Sequence, residues 1–61
     1  MRLDTLTVLG PSELQRVLDT RDPGVAATLA LAEAIQGNTK RARAYLDVSR
    51  ALNLNHHKGE A

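Results

Sequence analysis

A chain of 61 residues without a single cysteine has to hold its fold by packing alone. A domain this short hides only roughly 60% of the surface its unfolded form exposes. Short domains usually add disulfides, a metal or a second copy. The missing cysteines exclude disulfides and thiolate metal sites. The two histidines, His56 and His57, are adjacent in sequence, and adjacent helical residues do not face the same way. They lack the spacing of a shared-metal pair, and no cofactor is expected. Apolar residues make up 43% of the chain, yet Tyr45 is its one aromatic residue. Aliphatic side chains bury less area each than aromatic ones do. Ordering a residue costs about 1.5 kcal/mol, so the expectation is a homodimer that shares its core.

Residues 3–9, Leu-Asp-Thr-Leu-Thr-Val-Leu, are rich in β-branched positions and stop at Gly10-Pro11. They predict a short strand or an extended arm over residues 1–10, with Leu3, Leu6, Val8 and Leu9 packing across a partner. Ser12 and Gln15 fit a capping box that opens a helix. Its apolar stripe is Leu14, Val17 and Leu18, and it ends near Thr20. Asp22-Pro23 reads as an N-cap followed by proline at the first helical position. The helix that follows, to about Gln36, is apolar nearly all round and predicts a central element buried on more than one side. Gly37 is its left-handed stop, and Asn38 caps the next element. These signals give an all-α bundle of three to four helices in one domain, with core and dimerisation helices over 12–36. The expected core and dimer residues are Leu14, Val17, Leu18, Leu29, Leu31, Ile35 and Leu46.

The segment after Gly37 reads Gly-Asn-Thr-Lys-Arg-Ala-Arg-Ala-Tyr-Leu-Asp-Val-Ser-Arg through Arg50. It resembles the C-terminal helix-turn-helix of the Fis family, shared with many nitrogen-regulator-type activators. The matching positions are Gly37, Asn38, Ala42, Leu46, Val48, Ser49 and Arg50. The chain departs from the pattern at Arg43 and Asp47, where the family has alanine and glycine, and at Asn53, a core position there. The resemblance implies a helix-turn-helix over 37–58 with a sharp turn at Leu46-Asp47-Val48, and a transcriptional regulator bound to duplex DNA. In that arrangement Lys40 and Arg41 meet phosphates and Ser49 caps a recognition helix. Arg43, Arg50, Asn53, His57 and Lys58 complete the nucleic-acid-binding set, alongside His56.

The same segment also reads as one uninterrupted helix. Residues 39–54 then place Ala42, Tyr45, Leu46, Ser49 and Leu52 on a single face, and Arg43 and Asp47 stand at a favourable i, i+4 spacing. With the preceding helix this makes an αα-hairpin closed by Gly37-Asn38. It is similar to half of a tetratricopeptide-type repeat, with Leu29, Ala30, Gly37, Ala42 and Leu46 at matching positions. It lacks that repeat's aromatic residues and terminal proline. The function implied is a module that binds a protein partner, as an adaptor, small chaperone or phage-type inhibitor does.

Charge divides unevenly between the halves. Residues 1–36 hold Arg2, Arg16 and Arg21 against Asp4, Glu13, Asp19, Asp22 and Glu33, a net −2. Residues 37–61 hold Lys40, Arg41, Arg43, Arg50 and Lys58 against Asp47 and Glu60, a net +3, so the second half is the one to face an anion. No enzyme is expected, because the carboxylates are scattered and no nucleophile or phosphate-loop motif is present. Apolar runs fall short of the roughly 20 residues that span a bilayer, and a cytoplasmic, membrane-free location is expected.

Overall fold

A computed structural model describes residues 3–60, with side chains over 4–54. The described chain is all α: α1 (Leu3–Leu9), α2 (Pro11–Thr20), α3 (Pro23–Ile35) and α4 (Thr39–Glu60). The molecule measures 37 × 21 × 16 Å, its long axis set by α4. At a rise of 1.5 Å per residue, the 22 residues of α4 extend about 33 Å. α4 is the element against which α1, α2 and α3 all pack.

The breaks between helices follow local chemistry. Gly10 (φ 84°) precedes α2 and accepts its first amide bond, Leu14 N–H to Gly10 O at 3.0 Å. Pro11 therefore opens α2, and Ser12 lies inside the first turn rather than capping it. Gln15 donates to Asp19 one turn on, at 2.8 Å, instead of completing a capping box. The second break keeps the expected design: Asp22 Oδ1 accepts from Gly24 N at 2.9 Å, with Pro23 at the first helical position. At the third, Gly37 (φ 83°) ends α3 in a Schellman arrangement. Its N–H donates to Ala34 O at 3.0 Å, and that of Asn38 to Glu33 O at 2.9 Å. The Asn38 carbonyl accepts the first bond of α4, from Ala42, while its side chain reaches back to Glu33.

Residues 3–9 form a helix, not the expected extended arm. The β-branched residues give way to tertiary packing, which overrides a weak local preference. As a helix the segment puts Thr5 and Leu9 on one side, both buried, with Val8 packed beside them. The buried Thr5 hydroxyl has a partner, donating to Asp47 Oδ2 at 2.7 Å. Residues 1 and 2 of the expected arm lie outside the described residues.

Residues 39–54 form the one uninterrupted helix of the second reading, and the turn at 46–48 implied by the helix-turn-helix resemblance does not form. No glycine or proline falls between Thr39 and Leu54. Asp47 stands where a turn glycine would, and Val48 is wholly buried, 0% exposed. The inward stripe of α4 is Ala44, Tyr45, Val48 and Leu52, with Ala42 at its edge. Leu46, expected on that stripe, points outward and is 51% exposed.

The core joins Leu9 of α1, Leu14 and Val17 of α2, Ala26 and Ala30 of α3 and the α4 stripe, with Val8, Leu18 and Leu29 packed against it. α3 is not the central helix its composition suggests. It buries Ala26 and Ala30 against α4 and exposes most of its other side chains. Of the expected core and dimer residues, Leu14, Val17, Leu18 and Leu29 join the core, whereas Leu31 and Ile35 are exposed.

Candidate interaction surfaces

Three surfaces gather the side chains that carry chemistry. The first is the outward side of α4. Lys40, Arg43, Arg50 and Asn53 are exposed there, interleaved with Leu46 and Leu54. The cations border a groove of about 700 Å³ between α4 and α1, whose other lining includes Asp4 and Asp47. The groove thus carries three cations with two carboxylates alongside.

The second surface faces inward. Arg41 donates through Nη2 to Glu13 Oε1 at 2.7 Å and through Nε to Glu33 Oε2, tying α4 to α2 and α3. Its guanidinium lies 5.7 Å from the centre of the Tyr45 ring, and Nη2 is 3.2 Å from the phenolic oxygen. The Tyr45 hydroxyl in turn donates to Glu13 Oε1. The hydrogen bond from Arg41, then that from Tyr45, holds the Glu13 carboxyl below its ordinary value. The same contacts, Glu13 first and Glu33 second, push Arg41 upward. Burial, reinforced by the bond to Glu13, pushes Tyr45 up to about 12. Near neutral pH Glu13 stays ionised and Tyr45 protonated, the reverse of a base or nucleophile poised to exchange protons. The cluster therefore acts as a polar rivet between helices.

This geometry redistributes the expected nucleic-acid-binding set. Arg41 is committed to Glu13 and Glu33 rather than turned to a phosphate. Ser49 is half-buried and donates to Pro23 O at 2.9 Å, so it fastens α4 to the start of α3 instead of capping a recognition helix. Lys40, Arg43, Arg50 and Asn53 share the outward side. The side chains of His56, His57 and Lys58 lie outside the described residues. Glu13, Glu33 and Tyr45 were absent from the expected set. A buried tyrosine needs a partner for its hydroxyl, which is a signal for Tyr45. Nothing local indicates that the partner comes from 32 residues earlier.

The third surface is the outer side of α3. Gly24, Ala27, Thr28, Leu31, Ala32, Ala34 and Ile35 are all exposed, Leu31 by 62% and Ile35 by 77%. The one charged residue of α3, Glu33, is turned to Arg41. The Thr28 hydroxyl is satisfied within the helix, donating to Gly24 O at 2.8 Å. The result is an uncharged side whose largest members are aliphatic.

Among the described residues, no group of three His, Asp or Glu side chains is placed to hold a metal ion, and no helix is long and apolar enough to cross a membrane. Comparison with protein-family models, with curated proteins and with solved structures finds no match.

Proposed function

We propose that this protein is a non-catalytic interaction module that binds a helical segment of a protein through the outer side of α3. The observation that carries this reading is the exposure of Leu31 and Ile35 on a helix side with no charge. Exposed apolar surface of this kind marks docking sites more often than it is tolerated idly, and an amphipathic partner helix covers it with its own i, i+3, i+4 anchors. The tetratricopeptide-like positions Leu29, Ala30, Gly37, Ala42 and Leu46 lend support to this reading, although Leu46 faces solvent rather than the hairpin's interior. The test is to pan a displayed library of helical peptides against the wild type, with Leu31→Asp/Ile35→Asp as counter-selection. Peptides that bind only the wild type and carry an apolar helical stripe are the expected result. Recovery of peptides that bind both proteins equally sinks the reading.

One observation favours a second reading, binding to duplex DNA as the Fis-type resemblance implies. Lys40, Arg43 and Arg50 stand exposed along one side of α4. If each meets one phosphate, the logarithm of affinity falls with the logarithm of salt at a slope of roughly −3 per chain. An anisotropy titration on mixed-sequence duplex at ~50 mM salt measures this, and Arg43→Ala/Arg50→Ala should reduce the slope to about −1. No binding at tens of micromolar protein removes this reading.

A further inference from the structure

We infer that the occupant of the outer side of α3 is α3 of a second copy of this chain, packed antiparallel across a twofold axis. This rests on the proposed role of that surface in protein binding, and names the partner. The exposed positions Gly24, Thr28, Leu31 and Ile35 recur at steps of four, three and four residues, the spacing of a helix-to-helix seam. They are also graded in size, small toward the start of α3 and large toward its end. An antiparallel pairing centred between Thr28 and Leu31 sets Ile35 of each chain over Gly24 of the other, and Leu31 over Thr28. Large side chains then fill the space that small ones leave, which is what close packing of two helices requires. A parallel pairing sets Ile35 against Ile35 and Gly24 against Gly24, crowding one end and opening the other.

Charge permits this side to meet a second copy of itself. A surface apposed to itself must tolerate every one of its charges meeting its own image, and this side has none, because Glu33 faces Arg41. The Thr28 hydroxyl, bonded back to Gly24 O, brings no unsatisfied donor into the seam. Antiparallel packing also brings Arg21, exposed just before α3, level with the carbonyl end of the partner's α3, where positive charge is favourable.

Area sets the strength. The 13 residues of α3 span about 20 Å, and a helix presents a strip about 10 Å wide. Such a strip hides on the order of a few hundred Å² per copy, below the roughly 800 Å² per partner of a standard complex. The dimer is therefore weak and reversible, and it adds to a core that each chain already possesses.

Sedimentation equilibrium from about 10 µM to 1 mM tests this. The weight-average mass is expected to rise with concentration from 6.6 kDa toward twice that value. Leu31→Asp should remain at the single-chain mass throughout, with unchanged helicity and melting temperature at 10 µM. Should that variant unfold, Ile35→Ser replaces it at the most exposed position. Orientation is read by disulfide trapping, since the natural chain contributes no thiol. An oxidised mixture of Thr28→Cys and Leu31→Cys chains should give chiefly the 28-to-31 heterodimer. Dominant 28-to-28 and 31-to-31 products overturn the antiparallel arrangement. A single-chain mass at 1 mM overturns the dimer but leaves the protein-binding reading standing, provided that helical peptides still distinguish wild type from the Leu31→Asp/Ile35→Asp variant. If they do not, both inferences fall together.

Discussion

Of the two helices that make the hairpin, α3 is the more apolar and α4 the more central. From Pro23 to Ile35, α3 carries one charged residue, yet it buries only Ala26 and Ala30. α4 carries Lys40, Arg41, Arg43, Asp47 and Arg50, yet every other helix rests on it. The difference lies in arrangement. On α4 the charges keep largely to one side, and the inward stripe is uninterrupted from Ala44 to Leu52. On α3 no charged residue marks the outside, since Glu33 is turned to Arg41, so composition alone cannot say which side faces the core. The side that meets α4 carries Ala26 and Ala30, which let the two helices approach closely, and Leu31 and Ile35 are left to solvent.

The sharpest way to break this contrast is at Val48, the most deeply buried side chain of α4. Val48→Asp places an unpaired carboxylate in the core at a cost of several kcal/mol. Helical circular dichroism at 25 °C should be lost, and a folded variant would show that α4 is not the centre. A second change compares the two sides of α3 directly. Ala30→Leu forces extra volume against α4 and should destabilise by about 1–3 kcal/mol, whereas Ala34→Leu on the exposed side should stay within about 0.5 kcal/mol. Equal effects in thermal melts at 10 µM would erase the distinction between inner and outer side.

Smaller effects are expected at the polar rivet, and they depend on pH. The Glu13 carboxyl is lowered by its bonds from Arg41 and Tyr45. Its contribution is complete above the unfolded carboxylate value near 4.5 and is lost as pH falls through the lower folded value. Tyr45 works at the other extreme. It is held protonated up to about 12, against 10.0 when unfolded, so stability falls as pH rises between these values. Melting temperatures measured across both ranges should show two declines. Glu13→Gln should flatten the acid one and narrow the alkaline one, and Tyr45→Phe should remove the alkaline one and narrow the acid one, because each group is shifted in part by the other. A profile unaltered by either change would mean that the rivet contributes nothing to joining α2, α3 and α4.

Much of the hairpin was legible in the sequence, because its boundaries rest on local chemistry. Asp22-Pro23 and Gly37 act within a few residues of themselves, and each behaves as its residue types dictate. The stripe Leu14, Val17 was readable for the same reason. Residues 3–9 were not, since what makes them helical is packing against α4, which is available only after folding. The turn at 46–48 was misplaced because a motif spacing can be satisfied by residues doing other work. Leu46 and Ser49 match the helix-turn-helix pattern, but one is solvent-facing and the other fastens α4 to Pro23 O. Arg41 illustrates the limit most plainly. Its sequence neighbours Lys40 and Arg43 suggest an anion, while its actual partners are carboxylates 8 and 28 residues away.

The order of elements along the chain has a consequence for biosynthesis. The helix on which the other helices rest is the last of the four to be translated. Thr5 and Leu9 emerge before the surface that covers them, around Asp47 and Val48, which follows roughly 40 residues later. At about 5–20 residues per second, that interval is roughly 2–8 s. During it α1, α2 and α3 have little to fold upon, and their apolar side chains are open to whatever chaperone attends the ribosome. The native packing of α1, α2 and α3 thus waits on the arrival of α4, the helix against which all three rest.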